Sequence, residues 1–137
     1  MAVYEVKAQW GGSAAPWNKE GTWMLGTRKD QDLLAVDIGS PDNGQTLLGR
    51  IAYCCEGPID FRAVRMAANA YFVTVHWGSD PIWHDDGIWI IGGRNDQRCT
   101  RLSILYNPMT KEFNGTAAYQ GEGEIGFKAS NLGNQTR

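Results

Sequence analysis

Tyr4-Glu5-Val6-Lys7-Ala8-Gln9-Trp10-Gly11-Gly12 and Tyr71-Phe72-Val73-Thr74-Val75-His76-Trp77-Gly78-Ser79 decide how the rest of this 137-residue chain is read. Tyr4, Val6, Trp10 and Gly11 recur as Tyr71, Val73, Trp77 and Gly78, an offset of 67. Beyond the following loop the offset becomes 66. Trp17, Gly21, Trp23, Gly26, Arg28, Asp30 and Gln31 return as Trp83, Gly87, Trp89, Gly92, Arg94, Asp96 and Gln97. Gly49, Tyr53, Glu56, Gly57, Ile59 and Phe61 return as Gly115, Tyr119, Glu122, Gly123, Ile125 and Phe127. One residue is therefore missing between Trp77 and Trp83. Self-similarity at a fixed period marks structural repeats. The chain reads as a single domain, 1–137, made of repeat one (about 1–67) and repeat two (about 68–137).

Within each repeat the pattern has period two. Leu34, Val36 and Ile38 fall on one face, as do their mates Thr100, Leu102 and Ile104, with Cys99, Arg101 and Ser103 opposite. Leu47, Gly49, Ile51 and Tyr53 alternate with Thr46, Leu48, Arg50 and Ala52, and Ile59, Phe61 and Ala63 alternate with Asp60, Arg62 and Val64. Alternation of this kind predicts half-buried strands. Strands are expected near 3–9, 22–28, 32–38, 46–54 and 59–66, then near 71–76, 88–94, 99–105, 112–120 and 125–131. Pro41-Asp42-Asn43-Gly44, Glu56-Gly57-Pro58 and Asn107-Pro108 supply the turns between them. Ala63 to Ala70 also fits a helical turn, but the matching strand of the other repeat argues against it. The expectation is an all-β, compact, ten-stranded antiparallel barrel of two five-strand repeats with pseudo-two-fold symmetry. Closure removes exposed edges. Gly49 and Gly115, inside strands, should mark bends or close backbone contacts.

Composition narrows the function. Net charge is −2 and charged residues make up 20%, so nothing draws the chain to nucleic acid or an anionic membrane. No apolar run approaches spanning length. The N-terminal Met1-Ala2-Val3-Tyr4-Glu5 lacks a basic region followed by an apolar core, which predicts no signal peptide and a cytoplasmic protein, release by a non-classical route aside. Of three cysteines, Cys54 and Cys55 are neighbours and a poor disulfide pair, so reduced thiols are expected.

The Trp-Gly pairs carry the chemistry. Tryptophan offers a rigid face and one N–H donor, and glycine lets backbone N–H groups approach a ligand. Gln9 to Asn18, Leu25-Gly26-Thr27-Arg28, Asp42 to Leu47 and Glu56-Gly57-Pro58-Ile59 together resemble the Oscillatoria agardhii agglutinin family of lectins, in register over essentially the whole chain. The resemblance implies binding of high-mannose glycans and glycoproteins by a monomer, with no metal or other cofactor and no catalysis. It implies two sites at opposite ends, each joining the Trp-Gly loop of one repeat to an Arg and a Glu of the other. Site one would be Trp10, Gly11, Gly12, Arg94, Glu122 and Gly123. Site two, expected to be weaker, would be Trp77, Gly78, Ser79, Arg28, Glu56 and Gly57.

The weakness of site two is expected from three departures. Ser79 stands where repeat one has Gly12, so if the loop needs positive φ either Ser79 is strained or the loop adopts another shape. The Asp80-Pro81-Ile82 loop is one residue short, and Cys55 stands where repeat two has Gly121. Trp10 is expected to be exposed, and Trp23 and Trp89 structural. A structural or protein-binding barrel that has lost its sugar sites predicts the same fold and stays open. A glycosidase pair of Glu56 and Glu122 fails because equivalent positions of a two-fold barrel cannot flank one bond. His76, His84, Asp85, Asp86 and the cysteines match no metal-ligand spacing.

Overall fold

Ten antiparallel strands close into a barrel in this computed structural model, which describes residues 2–26, 32–54, 56–94 and 97–134. The strands are β1 Ala2–Gln9, β2 Asn18–Met24, β3 Leu33–Gly39, β4 Thr46–Tyr53, β5 Ile59–Ala67, β6 Ala70–His76, β7 His84–Ile90, β8 Cys99–Asn107, β9 Glu112–Tyr119 and β10 Ile125–Asn134. Around the barrel the order is β1-β10-β9-β8-β3-β4-β5-β6-β7-β2, closing back on β1. The hairpin β1–β2 of repeat one thus sits beside β8–β10 of repeat two, and the hairpin β6–β7 of repeat two beside β3–β5 of repeat one.

Both seams between these mixed halves fall on repeat mates. β3 and β8 pair through Asp37↔Ser103, and β2 and β7 meet at Met24↔Ile90. Each pair is separated by the repeat offset of 66, so the pseudo-two-fold axis passes through both seams. Inward-facing side chains from all ten strands fill the interior. Trp23, Trp89, Tyr53, Tyr119, Phe61, Phe113 and Phe127 are buried there. Trp23 packs on Phe127 at 5.0 Å and its mate Trp89 on Phe61 at 5.1 Å, a tilted contact that aromatic pairs favour.

Two local expectations are corrected. Strands β2 and β7 begin four residues earlier than the expected 22–28 and 88–94 and stop earlier. Left-handed Gly26 and Gly92 end them, with φ of 78° and 102°, while Gly21 and Gly87, at 95° and 80°, carry the chain through irregular pairing without breaking the strands. Leu33, not Leu34, joins the core, and so does its mate Cys99. A bulge lies between Leu33 and Ala35 and another between Cys99 and Arg101. An extra residue at each reverses the facing of what precedes it. Burial pushes the Cys99 thiol up to about 12, and Cys99 is a free thiol. Cys55 lies outside the described residues.

Gly49 and Gly115 mark close approaches, as expected. A Cβ on Gly49 would overlap the Asp37 carbonyl, and one on Gly115 the Ser103 carbonyl. Both obstacles are backbone, at the β3–β8 seam. Gly115→Ala is therefore expected to destabilise the barrel by about 1–3 kcal/mol, the range for overpacking a filled interior. Urea denaturation measures it, and a midpoint equal to that of the unmodified protein contradicts the assignment.

Candidate functional site

The strand order decides what meets at each end. Gln9, the last residue of β1, pairs with Gly126 at the start of β10, so the β1–β2 loop lies against the β9–β10 loop. His76 pairs with Asp60 in the same way at the other end, setting the β6–β7 loop against the β4–β5 loop. Glu122 and Glu56 therefore stand at opposite ends of the barrel. Their turns match: the Glu122 N–H donates to the Tyr119 carbonyl at 3.0 Å and the Glu56 N–H to the Tyr53 carbonyl at 3.3 Å.

At the first end Trp10 is 45% exposed and forms a wall between two open grooves. One groove, of about 530 Å³, is lined by Trp10, Glu20, Arg94, Gln97 and Glu122. The other, of about 320 Å³, runs along Gly11, Gly12 and Ser13 and faces Glu124, Ile125 and Gly126. Gly11 and Gly12 are left-handed, with φ of 95° and 99°, a conformation that glycine reaches without steric cost. Gln9 fastens this loop, its amide donating to the Ser13 carbonyl at 3.1 Å and the Ala15 carbonyl at 2.7 Å. Gly123 is exposed in the facing loop, with open space where a Cβ would stand.

Arg94 is held from several sides. Its Nε donates to Glu20 at 3.0 Å, and its Nη1 to Gln97 at 2.7 Å and to both Glu122 oxygens at 3.0 and 3.1 Å. The guanidinium lies 4.1 Å over the Tyr119 ring and 5.4 Å from that of Trp10, within cation–π range. Burial opposes its charge, but the hydrogen bonds to Glu122 and Glu20 outweigh that and raise its pKa. Gln97 donates to Glu122 at 3.0 Å and to the Gln120 carbonyl at 3.0 Å. The donated bonds from Gln97 and Arg94 hold the Glu122 carboxyl below its ordinary 4.5. Sequence reasoning missed Glu20, Gln97 and Tyr119. The repeat carried a signal for each: Glu20 mates with acidic Asp86, Gln97 with Gln31, and Tyr119 with Tyr53.

The arrangement suits a neutral polyol with an apolar face. Trp10 presents a ring to C–H groups. The carboxylate of Glu122 keeps acceptor capacity beyond its two protein donors, and Arg94 Nη2 meets no acceptor among the described residues. Such charge-assisted bonds are the stronger kind. Because protonation takes away the charge and part of the acceptor capacity of Glu122, ligand affinity at this end is expected to stay level from neutral pH to about 4.5 and to fall only below it. Calorimetric titrations across that range check this; a fall centred near pH 6 refutes it.

At the second end Trp77, Gly78 and Ser79 are exposed beside Glu56 and Gly57, whereas Arg28 lies outside the described residues. Of the two outcomes expected at Ser79, strain is not the one taken: Asn43, Ala68 and Lys111 are the left-handed non-glycine residues described. The shorter loop has found another shape. Asp80 accepts from the Ile82 N–H at 2.9 Å and meets His84 Nε2 at 3.2 Å. His84 in turn stacks on Trp77 at 4.5 Å and 16°. Asp86, the mate of Glu20, accepts from the buried Tyr53 hydroxyl at 2.7 Å. Among the described residues, no three His, Cys, Asp or Glu side chains are grouped to hold a metal.

Known proteins share this fold. The OAA-family lectin sugar binding domain matches twice, over residues 2–66 and 69–131. The chain is 46% identical to lectin OAA of Planktothrix agardhii over 132 residues, 96% of this chain and 100% of that lectin. It is similar to the glycan-bound Pseudomonas taiwanensis lectin, with a TM-score of 0.92, 44% identity and coverage of 97% of this chain and 100% of that one. It is also similar to the Myxococcus xanthus hemagglutinin in complex with α3,α6-mannopentaose, with a TM-score of 0.90 and 45% identity, covering 94% of this chain and 49% of that one.

Proposed function

This chain belongs to the OAA-family lectins, and from that membership we propose that it binds the branched mannose core of high-mannose N-glycans at both ends of its barrel. It is a carbohydrate-binding protein and not an enzyme. The observation that carries the reading is the first end, where Trp10 walls a groove containing the Arg94–Glu122 pair and adjoins the open backbone of Gly11 and Gly12. The mannose ring packs its C–H face on Trp10. Glu122 accepts from ring hydroxyls, Arg94 Nη2 donates to a ring or hydroxyl oxygen, and the Gly11, Gly12 and Gly123 N–H groups supply further donors. These groups are all protein-borne, so recognition needs no metal. Trp77, Gly78, Ser79, Arg28, Glu56 and Gly57 form the weaker second site. A monomer with two sites on one rigid body gains avidity on multivalent glycoproteins.

Calorimetry with α3,α6-mannopentaose, with and without EDTA, tests this. Equal binding in both is expected. Loss of binding in EDTA overturns metal independence. The absence of binding in either condition overturns the lectin reading of the site and leaves a barrel that has lost its sugar function.

A further inference from the structure

The first end carries a second polar cavity that the sugar site does not use. Its volume is about 330 Å³, and Asn43, Arg65, Asn69, Gln97, Arg98 and Gln120 line it. Gln97 is the shared wall: it also lines the Trp10 groove and bonds both Glu122 and the Gln120 carbonyl. Whatever occupies the cavity therefore sits next to a saccharide on Trp10.

The cavity is rich in donors. Among the described residues no carboxylate lines it, and neither Arg65 nor Arg98 has an ion pair. Among the described residues, Arg65 donates its Nε to the Ala68 carbonyl at 2.7 Å and no other side-chain N–H. The Arg98 side chain makes one long hydrogen bond among the described residues, Nη1 to Gln45 at 3.5 Å. The acceptors Gln120 Oε1 and Gln97 Oε1 are already taken, by the Arg98 N–H at 3.1 Å and Arg94 at 2.7 Å. Guanidinium donors without acidic partners match a carboxylate or phosphate better than a hydroxyl.

The fold does not require this charge. The Gln120 N–H donates to the Arg98 carbonyl at 2.9 Å, and at the other end the Cys54 N–H donates to the Asp32 carbonyl at 2.7 Å. Arg65 pairs with Tyr71, and its mate Asn131 pairs with Tyr4. The equivalent positions thus hold Asp32, Asn131 and Cys54 in place of Arg98, Arg65 and Gln120. One half of a pseudo-symmetric barrel has placed two cations where the other has an acid and an amide.

We propose that the Arg65–Arg98 cavity is an anion subsite that binds a phosphate or carboxylate group carried by an oligosaccharide whose neighbouring mannose occupies the Trp10 groove. This rests on the lectin reading of that groove. The test compares three ligands on the full chain at low salt: neutral α3,α6-mannopentaose, the same pentasaccharide bearing one phosphate monoester, and one bearing a single uronic acid. At least one anionic ligand is expected to bind about tenfold more tightly than the neutral one, with the gain shrinking as salt rises. The arm that shows the gain identifies phosphate or carboxylate as the source.

In Arg65→Gln/Arg98→Gln the gain should vanish while neutral binding and Tm are unchanged. If this variant fails to fold, Arg98→Gln alone serves, since Arg98 lies in the β7–β8 loop, Gln keeps the aliphatic stem that packs on Gly44, and the backbone bonds to Gln120 are untouched. Equal affinity for all three ligands, or a gain that survives the substitutions, overturns the subsite. Lack of affinity for the neutral sugar fails the groove itself, which is a distinguishable outcome.

Discussion

Trp23→Ala is expected to cost the barrel about 3–5 kcal/mol, whereas Trp10→Ala removes glycan binding at its own end with Tm nearly unchanged. Trp23 is fully buried against Phe127, with its indole N–H 3.4 Å from the Glu20 carbonyl. Truncation leaves a void that ten mutually paired strands cannot collapse to fill. It also loosens β2 where Glu20 steadies Arg94. Trp10 is 45% exposed on a loop that Gln9 holds through backbone carbonyls, so its ring contributes little to stability. Denaturation curves beside mannopentaose titrations check the division. Similar stability losses from both substitutions would sink it.

Glu122→Ala is expected to abolish most glycan binding, and Glu56→Ala to change it little. Removing Glu122 deletes the hydroxyl acceptors and releases Arg94 Nη1 and Gln97 together. Hydrogen bonds to charged groups are the stronger kind, so losing two lowers affinity by roughly a hundredfold. Arg94 keeps Glu20, so the fold survives. The second end starts from a poorer position. Its loop has seven residues, 77–83, against eight, 10–17, and one face of Trp77 is already covered by His84. Ser79 does not reproduce the left-handed Gly12. Two sites of equal affinity, or the opposite mutational ranking, would refute the asymmetry and leave the lectin assignment intact.

The barrel was legible because its cause is local and repeated. Alternation sets strand faces, and duplication gives the two-fold relation. What escaped was anything one residue or one loop can change. The bulges at Leu33 and Cys99 reverse facings that strict period two assigns the other way. Ser79 was expected either to store strain or to leave the loop in another shape, and spacing alone could not choose; the shortened loop takes another shape around Asp80. Glu20 lies ahead of the strand expected from residue 22, and its partner Arg94 is 74 residues away. Trp10, Arg94 and Glu122 were named correctly as neighbours because the resemblance supplied the pairing of loops that spacing alone cannot.

The interleaved order around the barrel bears on how such a molecule can arise and be divided. A single repeat contributes a two-strand and a three-strand piece that do not pair with each other through β2 and β3; each finds its hydrogen-bonding partners in the other repeat. One repeat alone would present open strand rows, and a second copy would satisfy them reciprocally, as in a domain-swapped dimer. Cleavage at the β5–β6 turn would accordingly yield two fragments, neither with a whole binding site, whose reassociation rebuilds both at once. The covalent link between the repeats serves a further end. It lets the two copies differ, so that one end of the barrel can acquire Arg65 and Arg98 while the other keeps Asn131 and Asp32.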